Sequence, residues 1–386
     1  MNKRNICVVI TARPSYSRIK TALLAIKEHP ELNLQLVVAA SALLERYGSV
    51  VKYIEEDGLE ITRKIYTVLE GENLISMAKT TGIGISELAS VFDDLKPDIV
   101  VTIADRYETI STAIAASYMN IPLAHIQGGE VTGNIDEKVR HAITKLADLH
   151  LVTTSMAKDR VIKMGENPEN VFVTGCPSID LAKEIYLDPE LNFDPIFKYG
   201  GVGANIQVKP NNYLVVMQHP VTTSHERAQE EINATLEAVL ELNYPTMLFW
   251  PNVDAGSDGT SKAIRVFREK NLSNKVHFFK NMSGTDFLRV LNNSLCLIGN
   301  SSVGIRECSY LGVPVVNLGN RQNRRDRGQN VIDVGYHSEE IIKAVEEQIA
   351  HGKYEKSSIY GNGNAAENIA NVLATAVLSI EKVLMY

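Results

Sequence analysis

Short apolar runs rich in β-branched residues alternate along the chain with amphipathic stretches. The runs are "ICVVITA", "LQLVVAA", "DIVVTIA", "LAHIQ", "LHLVTT" and "VFVTG", then "YLVVMQ", "TMLFWP", "VHFFK", "LCLIGN", "PVVNLG" and "NVIDV". A run without polar alternation is a strand covered on both faces, and the helical stretches between runs supply the covers. The pattern therefore predicts an α/β protein of Rossmann-like parallel sheets. It pauses once. Residues 187–212, "LDPELNFDPIFKYGGVGANIQVKPNN", are rich in Pro, Gly and Asn and hold no period, which predicts a connector with a boundary near residue 185. An N-terminal domain over 1–185 and a C-terminal domain over 186–364 follow. "GGVGAN" at 200–205 lacks GxGxxG spacing, follows no predicted strand and reads as flexible linker. The closing segment 365–386 is apolar at helical spacing (Ile369, Val372, Leu373, Ala376, Val377, Ile380), which predicts a last helix packed against one of the domains.

Composition agrees with this picture and removes several function classes. The chain has 386 residues, 45% hydrophobic and 22% charged, enough for two ordinary cores. Its net charge of -7, with no Lys/Arg-rich block, argues against a nucleic-acid or anionic-membrane partner. "NICVVITARPSY" is interrupted too early by Arg13 and Pro14 for a signal peptide, so a cytoplasmic protein is expected. The four cysteines stand singly without CxxC, so neither a zinc site nor a disulfide framework is predicted, and each is expected to fill core space.

Candidate chemistry gathers where strands end, because ligands of open parallel sheets lie beyond the strands' carboxyl ends. In "LCLIGNSSVGIREC" a strand, a small polar turn and a helix start form a possible anion site. Ser301 and Ser302 either donate to a phosphate there, helped by the helix N-terminus, or Ser302 merely caps the helix. Glu307, nearly two turns into that helix, either binds ribose hydroxyls or is solvated. His219 in "VMQHPVTT", Asn252 and Asp254 in "FWPNVDAGSDG", and Lys280 follow other strands of the same predicted edge. In the first half, Arg13 and Arg18 could clamp phosphates or flank a helix start, and Asp105 and Arg106 could act chemically or form a structural ion pair. "HIQGGEVTGNIDEKVRHAITKLAD" carries a glycine pair that permits close approach, then Glu130 in a loop. Asn134 and Glu137 resemble a capping box, and Asp136 is either a proton-transfer group or a first-turn acid paired with Arg140.

Taken in order, "DRYE", that segment, "GCPSID", "QHPVTT", "PNVDAGSDG" and "IGNSSVGIREC" with "LGVPVVNLGNRQNRRDRGQNV" resemble the hydrolysing UDP-N-acetylglucosamine 2-epimerases of sialic-acid and related nonulosonic-acid biosynthesis, over nearly the whole chain. The resemblance implies two Rossmann-like domains as in GT-B glycosyltransferases, an active site in the interdomain cleft, and a last helix that returns to the N-terminal domain. It implies nucleotide contacts at Arg13, Ser17, Arg106, His219, Asn252, Asp254, Ser301, Ser302, Glu307 and Arg321, and acid/base positions at Asp105, Gln127, Asp136 and His219. It also implies a homo-oligomer, dimer or tetramer, with no metal or other cofactor. The sequence departs from the family at Gln127, where many members have glutamate, so Glu130 or Asp136 is expected to take the proton role. The activity implied is UDP-GlcNAc plus water to ManNAc plus UDP, or the same reaction on a UDP- or GDP-linked diacetamido sugar. A non-hydrolysing epimerase, a GT-B glycosyltransferase and a catalytically silent sugar-nucleotide sensor are the rivals.

Overall fold

The computed structural model describes the chain apart from residues 1–2, 46–48, 70–73, 104–105, 133–134, 222–225, 252–256, 271–274 and 386, and apart from the side chains of 74, 135, 136, 257 and 258. It divides into two units: Met1–Glu130 with Ile135–Asp180 and Tyr360–Tyr386, and Val131–Asn134 with Leu181–Ile359.

The first unit is built on β1 (Arg4–Ile10), β2 (Leu32–Ala39), β3 (Arg63–Ile65), β4 (Ile99–Ile103), β5 (Leu123–Ile126), β6 (Leu149–Val152) and β7 (Val171–Val173). All pair in parallel, in the order β3-β2-β1-β4-β5-β6-β7. Successive side chains of a strand face opposite ways, and β1 divides accordingly. Ile6, Val8 and Ile10 enter a core with Ile19, Leu23 and Ile26 of the helix Arg13–Glu28, while Cys7 and Val9 enter a second core with Phe92, Ala113 and Ile143. Each such side chain, fully buried, stabilises the fold by about 1.5–3 kcal/mol, which is why the runs are unbroken.

The second unit holds β8 (Val202–Gly203), β9 (Leu214–Met217), β10 (Thr246–Phe249), β11 (Val276–Phe279), β12 (Cys296–Gly299), β13 (Val315–Leu318) and β14 (Val331–Val334), in the order β14-β13-β12-β9-β10-β11-β8. Two doubly wound, Rossmann-like sheets of the GT-B kind are thus present, as expected. One strand departs from the parallel rule. β8 runs antiparallel to β11 and lies within "GGVGAN", so that stretch is sheet edge rather than flexible linker. The physical reason is close approach: a Cβ at Gly201 or Gly203 would stand 2.5 Å from the Phe278 or Val276 carbonyl oxygen. His277 fastens the same segment, its ring nitrogens 2.8 Å from the Ala204 carbonyl and 3.0 Å from that of Gly200.

The closing helix is shorter than its periodicity predicts. It spans Ala365–Thr375, and the chain beyond, to Met385, is not helical. Asp180 starts it by accepting the Ala365 and Ala366 amides, both at 2.8 Å, and Ile369, Ala370 and Leu373 pack into the core of the first unit beside the helix Arg13–Glu28. Val377 is 90% exposed and so cannot serve the predicted apolar face. Past Thr375 the backbone finds tertiary partners that outweigh helix continuation. Met385 N donates to the Gly165 carbonyl at 3.0 Å, and Lys382 Nζ stands 2.6 Å from Glu166 Oε2.

Glu166, 3% exposed, is the centre of this tail anchor. Burial raises the pKa of its carboxyl, but hydrogen bonds from His150, Lys145 and Lys382 outweigh burial and pull it down to about 2. A depressed carboxyl stabilises the fold fully above its ordinary value of 4.5 and loses that contribution as pH falls toward about 2. Glu166→Gln should therefore cost about 3 kcal/mol at neutral pH, the scale of breaking one partner of a buried charge group. It should also flatten the acid limb of the melting curve within that window. Thermal melts of both proteins between pH 2 and 7 check both effects.

Candidate active site

In each sheet the strand order reverses direction beside the first parallel strand, between β1 and β4 in the first unit and between β9 and β12 in the second. Such switch points open a crevice at the carboxyl edge.

At the second unit's switch point, β12 ends on Gly299 with φ +146°, and a Cβ there would lie 2.0 Å from the Met217 carbonyl oxygen of β9. Only glycine lets the two strand ends come this close. Asn300 follows, fully buried, and clamps the segment that leaves β9 from both sides. Its Oδ1 accepts the His219 amide at 2.8 Å and its Nδ2 donates to the His219 carbonyl at 2.8 Å. The carbonyl of Asn300 in turn accepts Arg321 Nη1 at 3.0 Å and Gln322 Nε2 at 2.8 Å. Asn300 thus ties the backbone of His219 to the turn of Ser301 and Ser302 and to the Arg321 side chain. Asn300, which binds them together, was not singled out; its signal is its place directly after the strand-ending glycine.

The turn after Asn300 differs from the continuous helix expected. Ser301, not Ser302, is the N-cap, its hydroxyl accepting the Val303 amide at 3.4 Å. The helix runs only over Ser302–Ile305, breaks at Arg306 (φ -97°, ψ -73°) and resumes over Glu307–Leu311. Glu307 therefore opens the second piece instead of lying two turns inside one helix. A single turn sums few peptide dipoles, so the expected helix N-terminal charge is small here. Lys280 is exposed at the end of β11, with β10 and β9 between it and β12. Asn252 and Asp254 lie outside the described residues.

At the first unit's switch point, Arg13 begins its helix at the end of β1, with its guanidinium carbon 5.4 Å from the Tyr53 ring centre. Ser17 is exposed, its hydroxyl reaching the Arg13 carbonyl at 3.4 Å. Past β4, Arg106 Nε stands 3.5 Å from Glu108 Oε2, a carboxylate only 3% exposed that also accepts Ser41 Oγ at 2.9 Å. Glu108, the last residue of "DRYE", is a further buried acid that strand-end reasoning passed over. Asp105 lies outside the described residues.

Beyond β5, Gln127 takes a left-handed φ of +68° and is 2% exposed, its Nε2 3.3 Å from Cys176 Sγ, which lies 3.1 Å from Ser178 Oγ. Cys176 thus does more than fill space. The other three cysteines are buried as well; burial pushes the Cys7 and Cys296 thiols up to about 12. Glu130 is 6% exposed, and its Oε1 accepts Thr153 Oγ1 at 3.0 Å. Two arginines pin its loop: Arg140 Nη1 donates to the Glu130 carbonyl at 3.0 Å and Arg160 Nη1 to the Gly129 carbonyl at 3.2 Å. Asp136 falls in the first turn of the helix Ile135–Leu146, but its side chain is outside the described set. Among the described residues no group of three or more His, Cys, Asp or Glu side chains is placed to hold a metal ion, and no helix is long and apolar enough to cross a membrane.

Doubly wound sheets offer a ligand crevice beyond the carboxyl ends of their strands, and in both units polar and charged side chains stand at that switch point. Comparison with known proteins gives the class. The family described as UDP-N-acetylglucosamine 2-epimerase matches residues 24–374, and the chain belongs to that family. It is 31% identical over 376 residues, 97% of each chain, to the UDP-N,N'-diacetylbacillosamine 2-epimerase (hydrolyzing) of Legionella pneumophila. It is 32% identical over 335 residues, 86% of this chain and 85% of the relative, to the GDP/UDP-N,N'-diacetylbacillosamine 2-epimerase (hydrolyzing) of Campylobacter jejuni. Its fold is similar to the UDP-GlcNAc 2-epimerase of Neisseria meningitidis solved bound to UDP-GlcNAc, with TM-score 0.78, 21% identity and coverage of 96% of this chain and 99% of that one.

Proposed function

We propose that this chain is a hydrolysing sugar-nucleotide 2-epimerase. The observation that carries the reading is similarity at 31% identity, over 97% of both chains, to a relative named for that reaction. In the scheme, a base takes the C2 proton while the C1–O bond breaks and the electron pair leaves with the nucleoside diphosphate, giving a 1,2-unsaturated sugar. Water then adds its oxygen at C1 and a proton returns to C2 from the opposite face. The sum is nucleotide sugar plus water to nucleoside diphosphate plus the free 2-epimer. The change is redox-neutral, so it calls for no redox cofactor.

The second unit is assigned to the nucleotide: His219, Ser301, Ser302 and Arg321 stabilise the departing diphosphate, the largest developing charge, and Glu307, Asn252 and Asp254 serve the nucleoside. The first unit is assigned to the sugar, with Arg13, Ser17 and Arg106 as polar contacts and Asp105, Glu130 and Asp136 as proton-transfer groups. Gln127 is then a neutral selector for the sugar. UDP-GlcNAc, yielding ManNAc, and a UDP- or GDP-linked 2,4-diacetamido sugar are the substrates to compare. The names of the two relatives favour the diacetamido sugar. A cytoplasmic homo-oligomer acting on a soluble nucleotide sugar fits this reading.

Incubation with each nucleotide sugar in heavy water tests it. Free nucleoside diphosphate and a 2-epimer carrying one deuterium at C2 are expected. An epimer still linked to its diphosphate, seen by phosphorus NMR, would identify the non-hydrolysing reaction instead. Sugar released without inversion or deuterium would exclude the elimination route.

A further inference from the structure

The second unit's turn contains a cation that the nucleotide assignment has not used. Arg306 is 2% exposed, as deeply buried as the apolar core, at the break between the two short helical pieces. Its Nη2 donates to Ser302 Oγ at 2.9 Å, and its Nε lies 3.9 Å from Glu307 Oε2. The same backbone break is held from below by Ser309, whose hydroxyl donates to the Arg306 carbonyl at 2.7 Å. One buried guanidinium thus touches the hydroxyl assigned to the diphosphate and faces the carboxylate assigned to the ribose.

We propose that Arg306 is a positioning residue that makes Ser302 an outward-facing donor to the diphosphate; the proposal rests on the nucleotide reading of this edge. A serine hydroxyl has one hydrogen and two lone pairs. Because Arg306 fills a lone pair of Ser302 from the protein side, the hydrogen is left to point away from the guanidinium. Ser302 is only partly buried, and among the described residues nothing accepts that hydrogen. Accepting from a cation also polarises the hydroxyl and strengthens it as a donor, more so where the dielectric is low. This is how a turn too short to offer a strong helix dipole still presents positive potential to an anion. The charge sits one hydrogen bond behind the contact atom, where it is shielded from water and held in one orientation. The ion pair with Glu307 keeps the buried cation compensated.

The experiment compares binding of UDP and of uridine, which lacks the phosphates, by calorimetry. Arg306→Gln and Arg306→Lys are first checked for native-like melting and circular dichroism. Arg306→Gln should weaken UDP at least about 10-fold while uridine binding stays within about twofold, and Arg306→Lys should fall between. Adding Ser302→Ala to Arg306→Gln should change UDP affinity little further, because both substitutions remove one donor. Equal weakening of UDP and uridine would mark Arg306 as packing alone and overturn the proposal, as would additive effects of the two substitutions. If neither arginine variant folds, Ser302→Ala alone carries the test: the UDP-to-uridine affinity ratio must fall about 10-fold, and an unchanged ratio overturns the proposal. Failure of the unaltered protein to bind UDP at all would instead sink the nucleotide reading and this proposal with it. A normal wild type with an unmoved ratio sinks only the role of Arg306.

Discussion

Glutamine at position 130 is expected to lower turnover by at least about 100-fold, the scale of a lost proton-transfer group, while the melting temperature stays within a few degrees of wild type. The structure explains why the two effects separate. An amide has the size of the carboxylate, and its oxygen can still accept the Thr153 hydroxyl that now reaches Glu130 Oε1 at 3.0 Å. The loop is also held through its backbone, with Arg140 and Arg160 donating to the Glu130 and Gly129 carbonyls, and those bonds remain in the amide variant. What glutamine cannot do is take up and return a proton. Turnover measured as released nucleoside diphosphate, beside thermal melts, checks the pair of outcomes. Normal turnover in Glu130→Gln would pass the proton role to Asp105 or Asp136 and leave Glu130 as a loop anchor.

Much of this arrangement was legible because strand ends are legible. Continuous apolar runs mark twelve of the described strands, and the residue types just after them single out His219, Ser301, Ser302 and Glu130 as candidates. The two strands that escaped have physical reasons. β3 is three residues, "RKI", with two of them charged, so it carries no apolar run. β8 is "VG" at a sheet edge, where the glycines that read as linker are what permits contact with β11. Periodicity also overstated two helices. It carried the closing helix past Thr375, where Lys382 finds Glu166 instead. The helix expected after β12 is likewise two short pieces that meet at Arg306, whose buried guanidinium donates to Ser302 Oγ. Nothing in a single sequence marks an arginine as buried, because arginines are mostly exposed and the exception is set by partners distant in the chain or one turn away. Asn300 and Cys176 were passed over for the same reason. Their importance lies in which backbone or side chain they meet, and that meeting is made by the sheet.

Alanine at Gly299 is expected to be among the most damaging single methyl groups that can be added to the described glycines of the second unit. Two costs combine there. A φ of +146° is a conformation that L side chains rarely adopt, and the added Cβ would stand 2.0 Å from the Met217 carbonyl oxygen, a backbone atom that cannot swing aside. Gly299 pairs directly with Met217 in the ladder between β12 and β9, so relief requires the two strand ends to part. Parting them breaks the 2.8 Å bonds by which Asn300 holds the His219 backbone, and it displaces the turn that carries Ser301 and Ser302. Loss of at least about 3 kcal/mol of stability is expected, in the range reserved for steric and backbone conflicts that the fold cannot absorb. The stabilisation by UDP expected of the wild type should vanish as well, since a ligand raises the melting temperature only by binding the folded site. Gly58→Ala is the matched control. Its φ is +74° with nothing within 4 Å of the added Cβ, so it carries backbone strain without collision and should cost only about 1 kcal/mol. Melting curves of both variants with and without millimolar UDP decide the matter. If Gly299→Ala melts as Gly58→Ala does and keeps its UDP shift, the close approach of β9 and β12 is not what shapes the proposed nucleotide site.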